Sequence, residues 1–247
     1  MVPLKNKTII LTGASSGLGE ALAYQLAKEN CNLVLAARRI KKLKAIKKEL
    51  GKKHKKTKVL LVKTDISKEK DVKTLFKKAK KEFGKIDILI NNAGRGLNSE
   101  IQKISKKEWD SVIGTNLTGV FLCSKEAIKD MLKKNTKGHI ITIGSIAGIY
   151  GAPKYSAYCA SKHGVAGLKR SLMLEVWKKG IKISTLYPAR INTEFFKEYT
   201  KKPTSKQMLN PKDVAEYIVI IAKRSKTKLI LKKLSLIFKR AYNLLLK

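Results

Sequence analysis

At 247 residues, 43% of them hydrophobic, the chain can bury a substantial core in one α/β domain, and its longest apolar runs, such as "YIVIIA" at 217 to 222, fall far short of the roughly 18 residues of a membrane span. A formal net charge of +37 invites a nucleic-acid reading, but only 7 of the 55 basic residues are Arg, the residue whose planar fork reads phosphates and bases, so the excess reads as a lysine-rich solvated surface and no specific nucleic acid is expected. Cys31, Cys123 and Cys159 are odd in number and widely spaced, and they form no ligand cluster with His54, His139 and His163, which argues for a reducing compartment and against a disulfide framework or a structural metal. The opening "MVPLKNKTIILTG" runs straight into a strand pattern without a cleavage-site signature, so a cytoplasmic location is expected.

In chain order, "KTIILTG" (7 to 13) reads as a first strand and "GEALAYQLAKEN" (19 to 30) as the helix after it. "CNLVLAAR" (31 to 38) is a second strand, and 40 to 58 places Ile40, Leu43, Ile46 and Leu50 at helical spacing among lysines. Further strands are expected at 58 to 65, 85 to 94, 138 to 145 and 181 to 189, separated by helices at 70 to 84, 108 to 132 and 159 to 180. "TKLIL", at 227 to 231, reads as a last strand. Strands apolar on both faces and alternating with helices imply a single-domain, doubly wound parallel sheet of about seven strands with helices on both faces, and a ligand beyond the strands' carboxyl ends. The domain is expected over 1–232.

"TGASSGLG" (12 to 19) follows the first strand and opens the first helix. Gly13, Gly17 and Gly19 let the backbone turn sharply and approach a pyrophosphate, which the helix N-terminus attracts through its free N–H groups. A second stretch, "YSAYCASKHG" (155 to 164), sets two phenols near one ammonium. Carbonyl reduction needs a proton at oxygen, and a nearby ammonium favours the phenolate and so lowers a phenol's pKa. Lys162 lies one helical turn from Tyr158 and two from Tyr155, so spacing favours Tyr158 and leaves Tyr155 as a rival.

Taken together, G-x-x-x-G-x-G at 13 to 19, "NNAG" at 91 to 94, Asn116, Ser145 and Y-x-x-x-K at 158 to 162 resemble the short-chain dehydrogenase/reductase family over residues 7 to about 195. The resemblance implies a Rossmann-type domain, a nicotinamide cofactor, and hydride transfer to or from a small carbonyl or alcohol. It selects Tyr158 as proton donor, Lys162 as its pKa modifier and ribose ligand, Ser145 as partner of the substrate oxygen, and Asn116 as the residue holding a water in the relay to Lys162. For the cofactor it implies contacts from Gly13, Ser15, Ser16, Gly17, Leu18 and Gly19, from Asp65 and Ile66, from Asn92, Ala93 and Gly94, from Tyr158 and Lys162, and from Pro188, Ile191 and Thr193. It also implies a homodimer or homotetramer paired through the two long helices.

Where NAD-preferring relatives carry Asp at the end of the second strand, this chain has Ala37 followed by Arg38 and Arg39, which favours NADP (NADPH) over NAD, with Arg38 expected to bind the extra phosphate. "YPARINT" departs from the family's usual Pro-Gly, with Ala189 and Arg190 before Thr193. Residues 191–210 fall where the family has its substrate lid; Phe195, Phe196, Tyr199 and Met208 suit either an apolar pocket wall or lid packing. The segment 233–247 is basic, with apolar residues at 234, 237, 238, 241, 244 and 245, a helical stripe suited either to docking on the protein or to peripheral contact with an anionic membrane. The expected activity is NADPH-dependent reduction of a hydrophobic or lipid-like ketone or aldehyde. The alternatives are a 3-oxoacyl-thioester reductase and, in another class, a non-catalytic nucleotide-fold protein binding nucleic acid or membrane through its basic surface.

Overall fold

A computed structural model describes residues 1–196, 204 and 208–224. Six parallel strands form one sheet in the order β3-β2-β1-β4-β5-β6: β1 (Thr8–Thr12), β2 (Asn32–Ala37), β3 (Lys58–Lys63), β4 (Ile88–Asn91), β5 (His139–Ile143) and β6 (Lys182–Leu186). Between and after them run α1 (Gly17–Ala27), α2 (Ile40–Lys53), α3 (Glu69–Phe83), α4 (Lys106–Ile113), α5 (Gly119–Lys133), α6 (Ser156–Val176) and α7 (Pro211–Ala222). The fold is a Rossmann-type doubly wound domain. The seventh strand and the basic helix expected at 233–247 lie outside the described residues, as does Tyr199 of the expected lid.

The period-two rule of a strand explains both cores. Ile9 and Leu11 of β1, Leu33 and Leu35 of β2, and Ile88 and Ile90 of β4 face one cluster, with α1, α2 and α7 packed on it. Ile10, Val34 and Leu89 point the other way, into a second cluster with Val72, Leu75 and Phe76 of α3 and Leu122, Cys123 and Ala127 of α5. The central residues of these strands are therefore apolar on both faces, because each face is covered by helices. Full burial of each Leu, Ile or Phe contributes about 1.5–3 kcal/mol.

Local signals set the helix starts. At α4, Ser105 Oγ accepts from Glu108 N at 3.2 Å while Glu108 Oε2 accepts from Ser105 N at 2.9 Å, a reciprocal cap. Asn210 Oδ1 accepts from Lys212 N at 2.9 Å to open α7, with Pro211 at its first position. The expected helix over 108 to 132 is instead α4 and α5 joined by a π-helical turn, Gly114–Thr118. That wide turn rotates the side chain of Asn116 inward, where it is fully buried.

Strand order reverses between β1 and β4, so the chain leaves these neighbours toward opposite sides and opens a crevice beyond their carboxyl ends. The glycine turn after β1 and "NNAG" after β4 both border it. Among the described residues no helix is long and apolar enough to cross a membrane.

Candidate active site

The glycine turn and the end of β4 interlock. Thr12 Oγ1 donates to Ile90 O at 3.3 Å and accepts from Asn92 N and Ala93 N at 3.1 and 3.2 Å. Asn92 Nδ2 donates to the carbonyls of Thr12 and Gly13 at 3.0 and 3.2 Å. Gly13 sits at φ +67°, and a Cβ there would lie 2.6 Å from Ala93 Cα, so both handedness and space require glycine. At Gly19 a Cβ would fall on the Gly13 carbonyl. We expect Gly13→Ala to lower unfolding stability by about 2–4 kcal/mol, read from denaturant midpoints, since strain and a backbone clash add; an unchanged midpoint would mean the turn relaxes freely.

The residues present fit a dinucleotide. Ser16, the N-cap of α1, is extended and its side chain accepts no hydrogen bond from the helix, so the first-turn N–H groups carry no side-chain cap and are disposed as anion ligands. Gly94 is exposed and carries no side chain beside Asn116 Oδ1 and Lys162 Nζ, which lie 3.4 and 3.9 Å from where a Cβ would stand.

Tyr158 lies in the first turn of α6, and Lys162 follows one turn later. Lys162 is 6% exposed, and its Nζ donates to Ile143 O at 2.9 Å, 5.6 Å from the centroid of the Tyr158 ring. Ser145 caps the turn after β5, its Oγ accepting from Ala147 N at 3.2 Å, and it hydrogen-bonds the Tyr158 phenol. Ser145, Tyr158 and Lys162 therefore converge from β5 and α6. Tyr155 stands 6.5 Å from Tyr158, centroid to centroid, and hydrogen-bonds Asn98. Phe195 closes over Tyr158 at 5.6 Å.

The electrostatics differ from the sequence expectation. Burial pushes the Tyr158 phenol up to about 12, which the Ser145 hydrogen bond only partly offsets; Cys159 and Tyr155 raise it further. Lys162 does not pull it below its ordinary value, because the same burial depresses the ammonium to about 8 and its Nζ is held by the Ile143 carbonyl.

Asn116 is held by Arg95 and Ser161. Its Oδ1 accepts from Arg95 N at 2.8 Å, and its Nδ2 donates to Arg95 O at 2.9 Å and to Ser161 Oγ at 3.0 Å. Ser161 Oγ in turn donates to Tyr158 O at 2.7 Å, tying the π turn to the first turn of α6. Ser161 and Arg95 are the positioning residues that sequence reasoning missed. The i+3 spacing of Ser161 from Tyr158 was the available signal.

Beyond the end of β2, Arg39 lies across the glycine turn. Its Nε donates to Ser15 Oγ at 3.1 Å and its Nη2 to Ser16 Oγ. Arg38 is exposed and acts on Asp65 through its charge. Burial alone would raise the Asp65 carboxyl, but hydrogen bonds from Ser67 N and Oγ at 3.1 and 2.7 Å, with the charges of Arg38 and Lys68, hold it below its ordinary value. Ile66 is 5% exposed and packs against Gly119, so its side chain belongs to the second core.

Beyond β6, Pro188 O accepts from Ile146 N at 3.2 Å, and Ile191 bridges to Leu209, so "YPARINT" stays ordered with Ala189 in place of glycine. Leu18, the residue after Gly17, is buried in the first core. The Thr193 side chain covers Gly17, 3.1 Å from where its Cβ would be.

A family model described as short chain dehydrogenase matches residues 7–204. An uncharacterized oxidoreductase of Staphylococcus aureus is 36% identical over 219 residues, 89% of this chain and 92% of that one. Another, of Listeria innocua, is 39% identical over 209 residues, 84% of this chain and 83% of that one. Among solved structures, an alcohol dehydrogenase of Thermococcus sibiricus complexed with 5-hydroxy-NADP superposes with a TM-score of 0.82 at 29% identity, covering 90% of this chain and 92% of that one. A 3-ketoacyl-(acyl-carrier-protein) reductase of Brucella melitensis complexed with NADH gives 0.81 at 27% identity, covering 89% and 91%. With the glycine turn, "NNAG" and the Ser-Tyr-Lys convergence in one crevice of a Rossmann-type sheet, the chain belongs to the short-chain dehydrogenase family and is an NAD(P)-binding oxidoreductase.

Proposed function

We propose that the protein reduces a hydrophobic ketone or aldehyde with NADPH. The observation that carries this reading is a Tyr158 phenol hydrogen-bonded to Ser145, one turn from Lys162, and walled by the rings of Tyr155 and Phe195. A bound nicotinamide supplies the hydride. Ser145 and Tyr158 orient the substrate oxygen, and Tyr158 delivers the proton to it, a role for which a phenol that is protonated at neutral pH is suited. Lys162 offers the positive charge that stabilises the resulting phenolate and a donor for the ribose. The aromatic wall excludes water and favours apolar substrates.

The preference for NADPH rests on Ala37, Arg38 and Arg39, with no acid at the end of β2 to accept from a ribose hydroxyl. Asp65 is proposed at the adenine, and Thr193, Ile191 and Pro188 at the nicotinamide. A homo-oligomer through α5 and α6 is part of the same reading, supported by exposed Phe121, Leu132 and Leu174 on them and Trp177 directly after α6, as is contact of 233–247 with an anionic membrane. A second reading, reduction of a 3-oxoacyl thioester, draws support from the structural likeness to a reductase of that substrate class.

A carbonyl panel that includes a 3-oxoacyl thioester, run with NADPH and NADH in parallel, tests both parts. We expect NADPH to be preferred and R38Q/R39Q to lose about tenfold or more in kcat/KM for NADPH alone, since hydrogen bonds to a charged group are being removed. A preference for NADH would overturn the cofactor reading, and absence of turnover across the panel would favour a binding protein.

A further inference from the structure

Arg39 and Lys42 meet an acid from a distant part of the chain. Glu194 Oε2 stands 3.9 Å from Arg39 Nη1 and 3.8 Å from Lys42 Nζ, all three side chains being about half exposed. Glu194 begins the short helical turn Glu194–Phe196 beyond β6, directly after the Thr193 that covers Gly17 and directly before the Phe195 that faces Tyr158. Arg39 is at the same time hydrogen-bonded to both serines of the glycine turn. Arg39, two residues beyond the end of β2, and Lys42, in the first turn of α2, thus already hold a carboxylate.

We propose that Glu194 sets the discrimination between 2′-phosphorylated and unphosphorylated adenosine cofactors, acting as an intramolecular anion that competes with the phosphate for Arg39 and Lys42. This rests on the NADPH reading above. A phosphomonoester carries about −1.5 to −2 charge and engages the arginine fork in two directions, so it displaces a single carboxylate. Its net affinity is lowered by the pairs it breaks and by repulsion from Glu194. Half-exposed pairs are individually weak, so two of them together reduce phosphate affinity by about fivefold. A cofactor without the 2′-phosphate leaves the Glu194 pairs intact and is unaffected. Because Thr193, Glu194 and Phe195 are consecutive, the same displacement joins phosphate recognition at one end of the crevice to the residues over Gly17 and Tyr158.

Calorimetric titration of the full chain with adenosine 2′,5′-bisphosphate and with 5′-AMP tests this without turnover. E194Q is expected to bind the bisphosphate about fivefold more tightly and AMP unchanged, and E194D to behave as wild type. In an R39Q/K42Q background E194Q is expected to change neither, which a general charge effect would not reproduce. If the wild type prefers the bisphosphate but E194Q does not raise that preference, or shifts both probes equally, the competition is overturned while the NADPH reading stands. Equal binding of both probes by wild type and E194Q overturns the NADPH reading and this proposal with it.

Discussion

Tyr158→Phe is expected to lower kcat for carbonyl reduction by about 10²–10⁴-fold, the usual contribution of a positioned general acid. The substitution removes one oxygen and leaves the ring between Tyr155 and Phe195, so folding and cofactor affinity should hold while the proton transfer is lost. The loss should fall on kcat with little change in KM, because the hydroxyl acts most strongly where charge develops on the substrate oxygen. The pH dependence is distinctive. With the phenol pushed up to about 12, Tyr158 carries its proton throughout the neutral range, so reduction shows no fall from its ionisation there. The reverse reaction needs the phenolate and should climb with pH. Steady-state rates in both directions across pH 6–10 would decide it, and a Phe variant with wild-type turnover would remove Tyr158 from the mechanism.

Lys162→Met is expected to lose activity by about 10²-fold or more and to gain stability. Burial depresses the Lys162 ammonium from 10.5 to about 8, so below pH 8 the fold carries the cost of a buried charge. A difference of roughly 2.5 pH units corresponds to about 3 kcal/mol, less about 1 kcal/mol for the lost hydrogen bond to the Ile143 carbonyl. The net gain of about 2 kcal/mol should raise Tm by several degrees in a chain of this size. The sign with pH follows from linkage. The unfolded chain binds the proton up to about 10.5 and the folded one only to about 8, so wild-type stability rises across that window and the advantage of the Met variant shrinks. The same titration predicts a decline of the reduction rate as pH rises through 8, when the charge beside the nascent phenolate is lost. Thermal melts of both proteins at pH 7 and pH 10 test the argument, and a destabilised Met variant at pH 7 would refute the buried-charge account.

The opposed positions of these two groups have one physical source. Low polarity around α6 disfavours both ionised forms, raising the phenol and lowering the ammonium. The sequence spacing showed that Tyr158 and Lys162 share a helix face, and it led to the expectation that the lysine lowers the tyrosine. Burial outweighs that attraction, and burial depends on what β5 and the turn after it bring alongside.

Much of the fold was legible because its signals are local. Unbroken apolar strands with helical spacing between them were sufficient for the sheet and its two covered faces, and the glycine turn for the first βα corner, since each depends on neighbours in sequence. The Ser145, Tyr158 and Lys162 set was legible through a resemblance of joint motifs. What only the tertiary structure decided are relations across long separations. The π turn that buries Asn116 and its bonds to Arg95 and Ser161 come from packing α4 to α6 against one another. Likewise the sequence placed two arginines at a strand end and favoured Arg38 for the phosphate. Only the folding of residue 194 back onto residues 39 and 42 shows Arg39 spanning the glycine turn and a carboxylate, because charges far apart in the chain interact only when the backbone brings them within a few ångströms.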